Sequence, residues 1–286
     1  MISLVVATLG RVEEIGALFD SLLAQDTPFE VILVDQNTDA RLDALVAAWT
    51  PRLPLRHLRA ARPHANAGRN LGLRHARGDL VAFPDDDCLL PPGTLARVRA
   101  AFDAAPALVA LTGPAAAPEG GLGSGRWNTT PGPITLTNVW TSVIEFNLWM
   151  RRDVALTLGG FDENMGPGAR FGSAEGNDLV CRALHAGHAA RYDPGLCVIH
   201  PDKRLSAEAV ARAGRYGLGL GFALRRHKVA WSVRLAFLYR PMGGALLALA
   251  RGRVLHARYY LASLTGRARG MLAQPLPWPA PLEPLP

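Results

Sequence analysis

The chain opens on an unbroken apolar, β-rich run, Ile2 to Thr8, the pattern of a strand buried on both faces. Gly10 breaks it, and Val12, Ile15, Leu18, Phe19 and Leu22 then recur at helical spacing. A second apolar strand, Glu30 to Asp35, ends in an acid and is followed by a helix with Leu42, Leu45, Val46 and Trp49 on one face. Leu55 to Leu58 predicts a short third strand, Asn70 to Ala76 a short helix, and Leu80 to Phe83 a fourth strand. Strands alternating with helices at these lengths predict βαβ units and a mainly parallel, Rossmann-like sheet, an α/β fold. Ligands of such sheets bind beyond the carboxyl ends of the strands, so Thr8 and Arg11, Asp35 to Asp39, and Pro84 to Asp87 draw attention first.

Beyond this, residues 113–133 are rich in Gly, Pro, Ala and Ser and read as a loop or hinge. Regular patterning returns from Thr137 to Met150, a glycine-rich stretch spans Gly159 to Gly172, and a helix is expected from about Glu175 to Ala186. Short strands follow near Ala190 and Leu196. Residues 207–270 read as helices with long apolar faces, and the proline-rich end from Gln274 as an extended, loosely ordered tail.

Charge sharpens this division. Of 31 Lys and Arg residues, 14 fall between Lys203 and Gly270 against a single acid, Glu208, so the net charge of +7 belongs to the helical segment. Val229 to Ala250 is apolar but broken by Arg234, Arg240 and Pro241, so it lacks the ~20 uninterrupted apolar residues of a spanning helix. A basic amphipathic segment with Trp231, Phe237, Tyr239, Tyr259 and Tyr260 suits an anionic bilayer surface; helices packed on the domain with a solvated basic face are the alternative. No nucleic-acid module accompanies the charge, so no nucleic-acid partner is expected. Three scattered cysteines without a CxxC pair point to neither a zinc site nor a disulfide framework, and fit a reducing, cytoplasmic setting. The N-terminus, without a basic region or cleavage site, reads as a strand and not a signal peptide.

Asp85, Asp86 and Asp87 carry the strongest chemical signal. Three acids closing a buried strand are costly unless a cation neutralises them, and Mg²⁺ or Mn²⁺ takes one or two carboxylates alongside phosphate oxygens and water. In an extended segment, residues two apart point the same way, which puts Asp85 and Asp87 on one side and Asp86 on another.

Taken in order, SLVVATLGR, EVILVDQNTD, HANAGRNLGLRHARGDLVAFPDDD and GGFDENMG…SAEGNDLVCRALHAGH resemble the inverting family-2 glycosyltransferases of GT-A fold, over residues 2–200. The resemblance implies one GT-A-type domain over 1–205, with a nucleotide half (1–113) and an acceptor half (114–205). A C-terminal helical extension (206–270) and a proline-rich tail (271–286) follow. It implies a nucleoside-diphosphate sugar donor, UDP or dTDP first, and a polysaccharide or lipid-linked glycan acceptor. Asp85 and Asp87 match the family's Asp-x-Asp metal motif, and His200 is a candidate third contact to metal or diphosphate. Thr8, Arg11, Asp35, Asn66, Arg69, Asn70, Asp79 and Asp86 become candidate donor contacts, with Lys203 and Arg204 as part of a lid.

The pattern departs from the family at the general base. The signature Glu-Asp-x-Asp reads Glu175-Gly176-Asn177-Asp178, so glycine stands where the usual base would be. The role falls to Glu175 or to Asp178, with Glu175 favoured and expected to be kept ionised by the helix N-terminus. A membrane-associated binding or scaffold protein with a decayed site is the alternative this glycine raises. Trp127, Trp140 and Trp149 lie in the acceptor half and read first as core. A dehydrogenase is excluded by the lack of GxGxxG after the first strand, a P-loop by the lack of its lysine, and a nucleotidyltransferase is disfavoured by the sparse ATLGRVEE loop.

Overall fold

Four β-rich apolar runs bury themselves as the core of one sheet in the computed structural model, which describes every residue except Ser124, Lys203 and Pro286. The candidate lid residue Lys203 therefore lies outside the described residues. The first half runs β1 (Ile2–Thr8), α1 (Glu13–Leu22), β2 (Phe29–Asp35), α2 (Asp43–Trp49), β3 (Leu55–Arg59), α3 (Ala65–His75), β4 (Leu80–Ala82), α4 (Thr94–Ala104) and β5 (Leu108–Thr112). Two-residue strands β6 (Ala115–Ala116) and β7 (Gly132–Pro133) punctuate the hinge. Then come β8 (Leu148–Arg151), α5 (Arg152–Thr157), α6 (Glu175–His185), β9 (Ala189–Tyr192) and β10 (Val198–Ile199).

The main sheet has the order β3-β2-β1-β4-β8-β5-β9-β7, with β8 antiparallel to both its neighbours and β7 antiparallel to β9. The predicted nucleotide and acceptor halves thus share one sheet. Side-chain alternation along β1 feeds two cores: Val5 packs under α3, α5 and α6, while Ile2, Leu4 and Val6 pack against α1 and α4. Each such fully buried aliphatic side chain contributes about 1.5–3 kcal/mol.

Helix α3 begins five residues earlier than the pattern suggested. His64 caps it, its Nδ1 accepting from the Ala67 amide at 3.2 Å, a role usually held by Ser, Thr, Asp or Asn. Gly72 is needed in α3 because a Cβ there would come within 2.3 Å of Val5 on the sheet.

The helical extension is α7 (Ala207–Arg226), α8 (Trp231–Ala250) and α9 (Val254–Leu272). Helices α7 and α9 touch backbone to backbone through glycines: a Cβ on Gly221 would lie 2.1 Å from the Arg267 carbonyl, and one on Gly270 2.2 Å from that of Leu218. Helix α8 packs on α9 but leaves a broad apolar face in solvent, with Trp231, Tyr239, Leu246, Leu247 and Leu249 all more than half exposed. By length and composition it is the one helix among the described residues able to cross a membrane, although Arg234, Arg240 and Pro241 interrupt it.

The proline-rich tail is not loose, contrary to expectation. The Leu282 amide donates to Leu156 O at 2.9 Å, Leu285 N to Arg74 O at 2.7 Å, and Arg226 Nη2 to Pro277 O at 2.7 Å. Proline restricts the free chain, so this extended strap is ordered at reduced entropic cost.

Candidate active site

At the carboxyl ends of β1, β2 and β4 lies a cavity of about 480 Å³ lined by Arg11, Gln36, His64, Arg69, the three aspartates, His200 and Tyr216. Asp86, 6% exposed, turns toward β1, accepting from Thr8 Oγ1 at 2.6 Å and from Arg11. Burial pushes its carboxyl above the usual range, against the pull of Thr8 and Arg11. Arg11 also pairs with Asp87 at 2.9 Å.

Asp85, Asp87 and His200 bring one ligand atom each within 4.8 Å of one another. His200 stacks on Phe146, ring centroids 4.6 Å apart, and its Nδ1 donates to Pro201 O at 2.8 Å. That bond leaves the Nε2 lone pair facing Asp87 Oδ1 at 3.3 Å and Asp85 Oδ2 at 3.9 Å. Asp87 Oδ1 is buried without a hydrogen-bond donor among the described residues. Three acceptors converging on a point fit a hard or borderline divalent cation, with the Pro201 carbonyl orienting the imidazole from behind.

Arg69, on α3, is 5% exposed and links this cluster to a second one. It donates to Asp85 at 2.8 Å and to Glu175 at 3.2 Å. Burial opposes its charge, but Asp85, Glu175 and Glu145 together outweigh it and raise its pKa. Glu175 opens α6 directly after Ala174, a non-glycine residue held at φ 68°, a conformation that costs energy and clusters at functional sites. Contrary to expectation, the helix N-terminus does not keep Glu175 low: burial, and then the neighbouring Glu145, push it up to about 8 against Arg69.

Glu145 and Glu175 line a second cavity, about 330 Å³, together with Trp140, Asn177, Tyr216 and Tyr259. Tyr216 and Pro167 belong to both cavities, which makes them the boundary between the two. Glu145 was not singled out from the sequence. Its signal is Gly176: a Cβ there would meet Glu145 Cα at 3.1 Å and its backbone nitrogen at 3.2 Å. The glycine that replaces the family's acid thus makes room for the backbone of another acid.

The remaining sequence candidates are placed as follows. Asp178 does not reach either cavity: it is fully buried, bonded to Arg182 at 2.9 Å, Arg226 at 3.2 Å and His227 at 2.8 Å. Burial would raise its carboxyl, but Arg182, the His227 hydrogen bond and Arg226 hold it well below the usual range. Asp79 is at the wrong end of the sheet for a donor contact, because it precedes β4 and pairs with the N-terminal amine at 2.8 Å and with Arg99. Asp35 sits fully buried behind the cavity wall, its oxygens taken by Asn37 and His57, and neighbouring Gln36 lines the cavity instead. Asn66 and Asn70 brace the 161–166 loop, donating to Asp162 O, Met165 O and Phe161 O. Trp149 is core, Trp127 packs partly buried against it, and Trp140 reaches the second cavity.

Residues 3–156 match the model of glycosyl transferase family 2. An uncharacterized glycosyltransferase of Haemophilus influenzae is 35% identical over 94 residues, 32% of this chain and 31% of that protein. The O-antigen biosynthesis protein RfbC of Myxococcus xanthus is 29% identical over 234 residues, 66% of this chain but 18% of that protein. The chain thus spans about a third or less of the length of these relatives. Among solved structures, Staphylococcus aureus TarS 1–349 superposes with a TM-score of 0.61 at 18% identity, over 93% of this chain and 91% of that one. Mannosyltransferase PcManGT of Pyrobaculum calidifontis, in complex with GDP-Man and Mn²⁺, gives 0.63 at 19% identity, over 93% and 86%.

Proposed function

The chain belongs to glycosyl transferase family 2 and has the GT-A type of fold, and on that premise we propose that it is an inverting, divalent-metal-dependent transferase. The observation that carries this reading is the junction at Arg69, where a three-acceptor cation cluster and a two-carboxylate cavity meet. The donor is a nucleoside-diphosphate sugar; TarS is also known in complex with UDP-GlcNAc, which supports this class. UDP or dTDP remains the first choice of nucleotide.

Asp85, Asp87 and His200 would hold Mg²⁺ or Mn²⁺, which when bound supplies positive charge against the departing diphosphate. Gln36 and His64 line the nucleotide side, while Arg11 and Asp86 frame the cluster. The acceptor hydroxyl enters from the second cavity and attacks the anomeric carbon from the face opposite the diphosphate. Its proton passes to Glu175, which lines that cavity together with Glu145. Asp178, locked between arginines, takes no part. A decayed scaffold loses its support, since Gly176 accommodates Glu145.

The acceptor is a polysaccharide or lipid-linked glycan, and the exposed apolar face of α8, flanked by Arg234, Arg240, Arg251 and Arg253, lies on an anionic cytoplasmic membrane face.

The test is a thermal-shift screen of nucleoside diphosphates and their sugars with and without Mn²⁺ or Mg²⁺. A ligand that binds only the folded chain raises its melting temperature. Stabilisation by one nucleotide should require both the metal and intact Asp85 and Asp87, and vanish in Asp85→Ala/Asp87→Ala. Stabilisation that persists without metal, or that no nucleotide gives, rejects the proposal.

A further inference from the structure

A third cavity, of about 510 Å³, opens beside the acceptor cavity and shares Trp140, Leu220, Tyr259, Ser263 and Arg267 with it. Its walls carry three arginines, Arg126 from the hinge, Arg240 from α8 and Arg267 from α9. Among the described residues no aspartate or glutamate lines it. Arg267 donates from Nη1 to Phe237 O at 2.9 Å and lies 5.4 Å over the Phe237 ring, yet its Nε is buried without an acceptor among the described residues. Burial, joined by repulsion from Arg126, lowers its pKa.

A guanidinium withdrawn from water is costly unless an anion meets it. Close packing of α7 on α9 through Gly221 is what fixes the Arg267 backbone at this wall. Arginine presents a planar fork of donors that matches phosphate oxygens. Leu220, Phe237, Pro241 and Tyr260 add an apolar side to the lining, and Pro241 and Arg240 belong to α8, whose other face is exposed.

We infer that this cavity holds a phosphoryl group carried by the acceptor, clamped by Arg126, Arg240 and Arg267, next to where the acceptor hydroxyl reacts. The inference rests on the transferase reading and narrows its acceptor to a phosphorylated one. Such a group comes either from a lipid-linked glycan or from a soluble phosphorylated one.

Calorimetric titration of the full chain separates these sources, using dodecyl phosphate below its micelle concentration, methyl phosphate, and neutral dodecyl maltoside. Dodecyl phosphate should bind, and Arg126→Gln/Arg240→Gln should weaken it by about tenfold or more, as loss of charge-assisted bonds does. Both replaced side chains are exposed, so the variant keeps its fold, and metal-dependent stabilisation by the nucleotide should be unchanged in it. Arg267→Lys, which keeps the charge but loses the fork, should weaken binding less than the double change. Methyl phosphate binding as tightly as dodecyl phosphate assigns the site to a soluble acceptor; a requirement for the chain assigns it to a lipid-linked one. Equal binding of dodecyl maltoside, no binding of either phosphate, or an unaffected double variant overturns the inference. Loss of nucleotide stabilisation in the wild type instead overturns the transferase reading while leaving the phosphate result to be read separately.

Discussion

Gly176 is the residue at which family pattern and structure part company, and it makes a counterintuitive prediction. Restoring the family's acid with Gly176→Asp should not raise turnover. Its Cβ would press on the Glu145 backbone at 3.1–3.2 Å, so differential scanning fluorimetry should show a lowered melting temperature and assays a slower enzyme. Glu145→Gln probes the same contact by charge. Burial and then the Glu145 charge push the pKa of the Glu175 carboxyl above the usual range. Removing the Glu145 charge lowers that value, so the acidic limb of the kcat/KM profile should move to lower pH while its plateau falls; general-base loss typically costs 10²–10⁴-fold. An unmoved limb would detach Glu175 from the proton transfer. The sequence shows the acids at 175 and 178 side by side, but not that one faces a cavity and the other two guanidiniums and an imidazole. Glu145, thirty residues upstream, is invisible without the fold because only chain crossing brings it over Gly176. The aspartate triplet, by contrast, was legible because three contiguous acids directly follow a buried apolar strand, even though Asp86 and Asp87 lie in a turn and not in the strand itself.

Among elements, the α6–α7 junction and the α7–α9 pair carry the cost of holding the extension in place. Asp178 binds Arg182 within α6 and Arg226 and His227 at the end of α7. Asp178→Asn leaves two buried guanidiniums short of charge and should cost about 3–5 kcal/mol in denaturant unfolding. The pH sign follows from its depressed value: this stability is present above the carboxyl's unfolded pKa, near 4, and fades as pH falls below it toward the folded value. The glycines offer a matched pair. Gly221→Ala should destabilise strongly, because its Cβ meets a carbonyl at 2.1 Å, whereas Gly243→Ala, with open space in helix α8, should stabilise by about 0.5–1 kcal/mol. That this segment is helical was readable from its long apolar faces, though not where each helix begins and ends. Their close approach was not, because only the fold shows that glycines of α7 and α9 serve as contact surface. The tail misled for the same kind of reason: proline content predicts an extended chain but says nothing about whether carbonyls elsewhere wait to receive it.

For the whole molecule, the parallel sheet and its order of elements followed from hydrophobic periodicity, while the antiparallel insertion of β8 between β4 and β5 did not, since pairing is a long-range choice. The charge asymmetry becomes spatial here: basic residues and the bare face of α8 belong to the same extension. Sedimentation with vesicles should show binding to phosphatidylcholine containing an anionic lipid, weakening with added salt as screening shortens the reach of the arginines. Leu246→Ser/Leu249→Ser should reduce that binding several-fold and leave nucleotide stabilisation untouched.

The ordered tail has a mechanical consequence. By running from α9 back under Arg226 and across α5 to Arg74, it ties the far end of the extension to the catalytic sheet. The three helices are therefore held like a bracket and not hung on a hinge. With such a brace, the height of the sugar-transfer point above whatever surface α8 rests on is a constant of the protein. On the proposed reading, distance from that surface becomes a criterion the acceptor must meet, and cutting the brace would loosen that spacing before it slowed the chemistry.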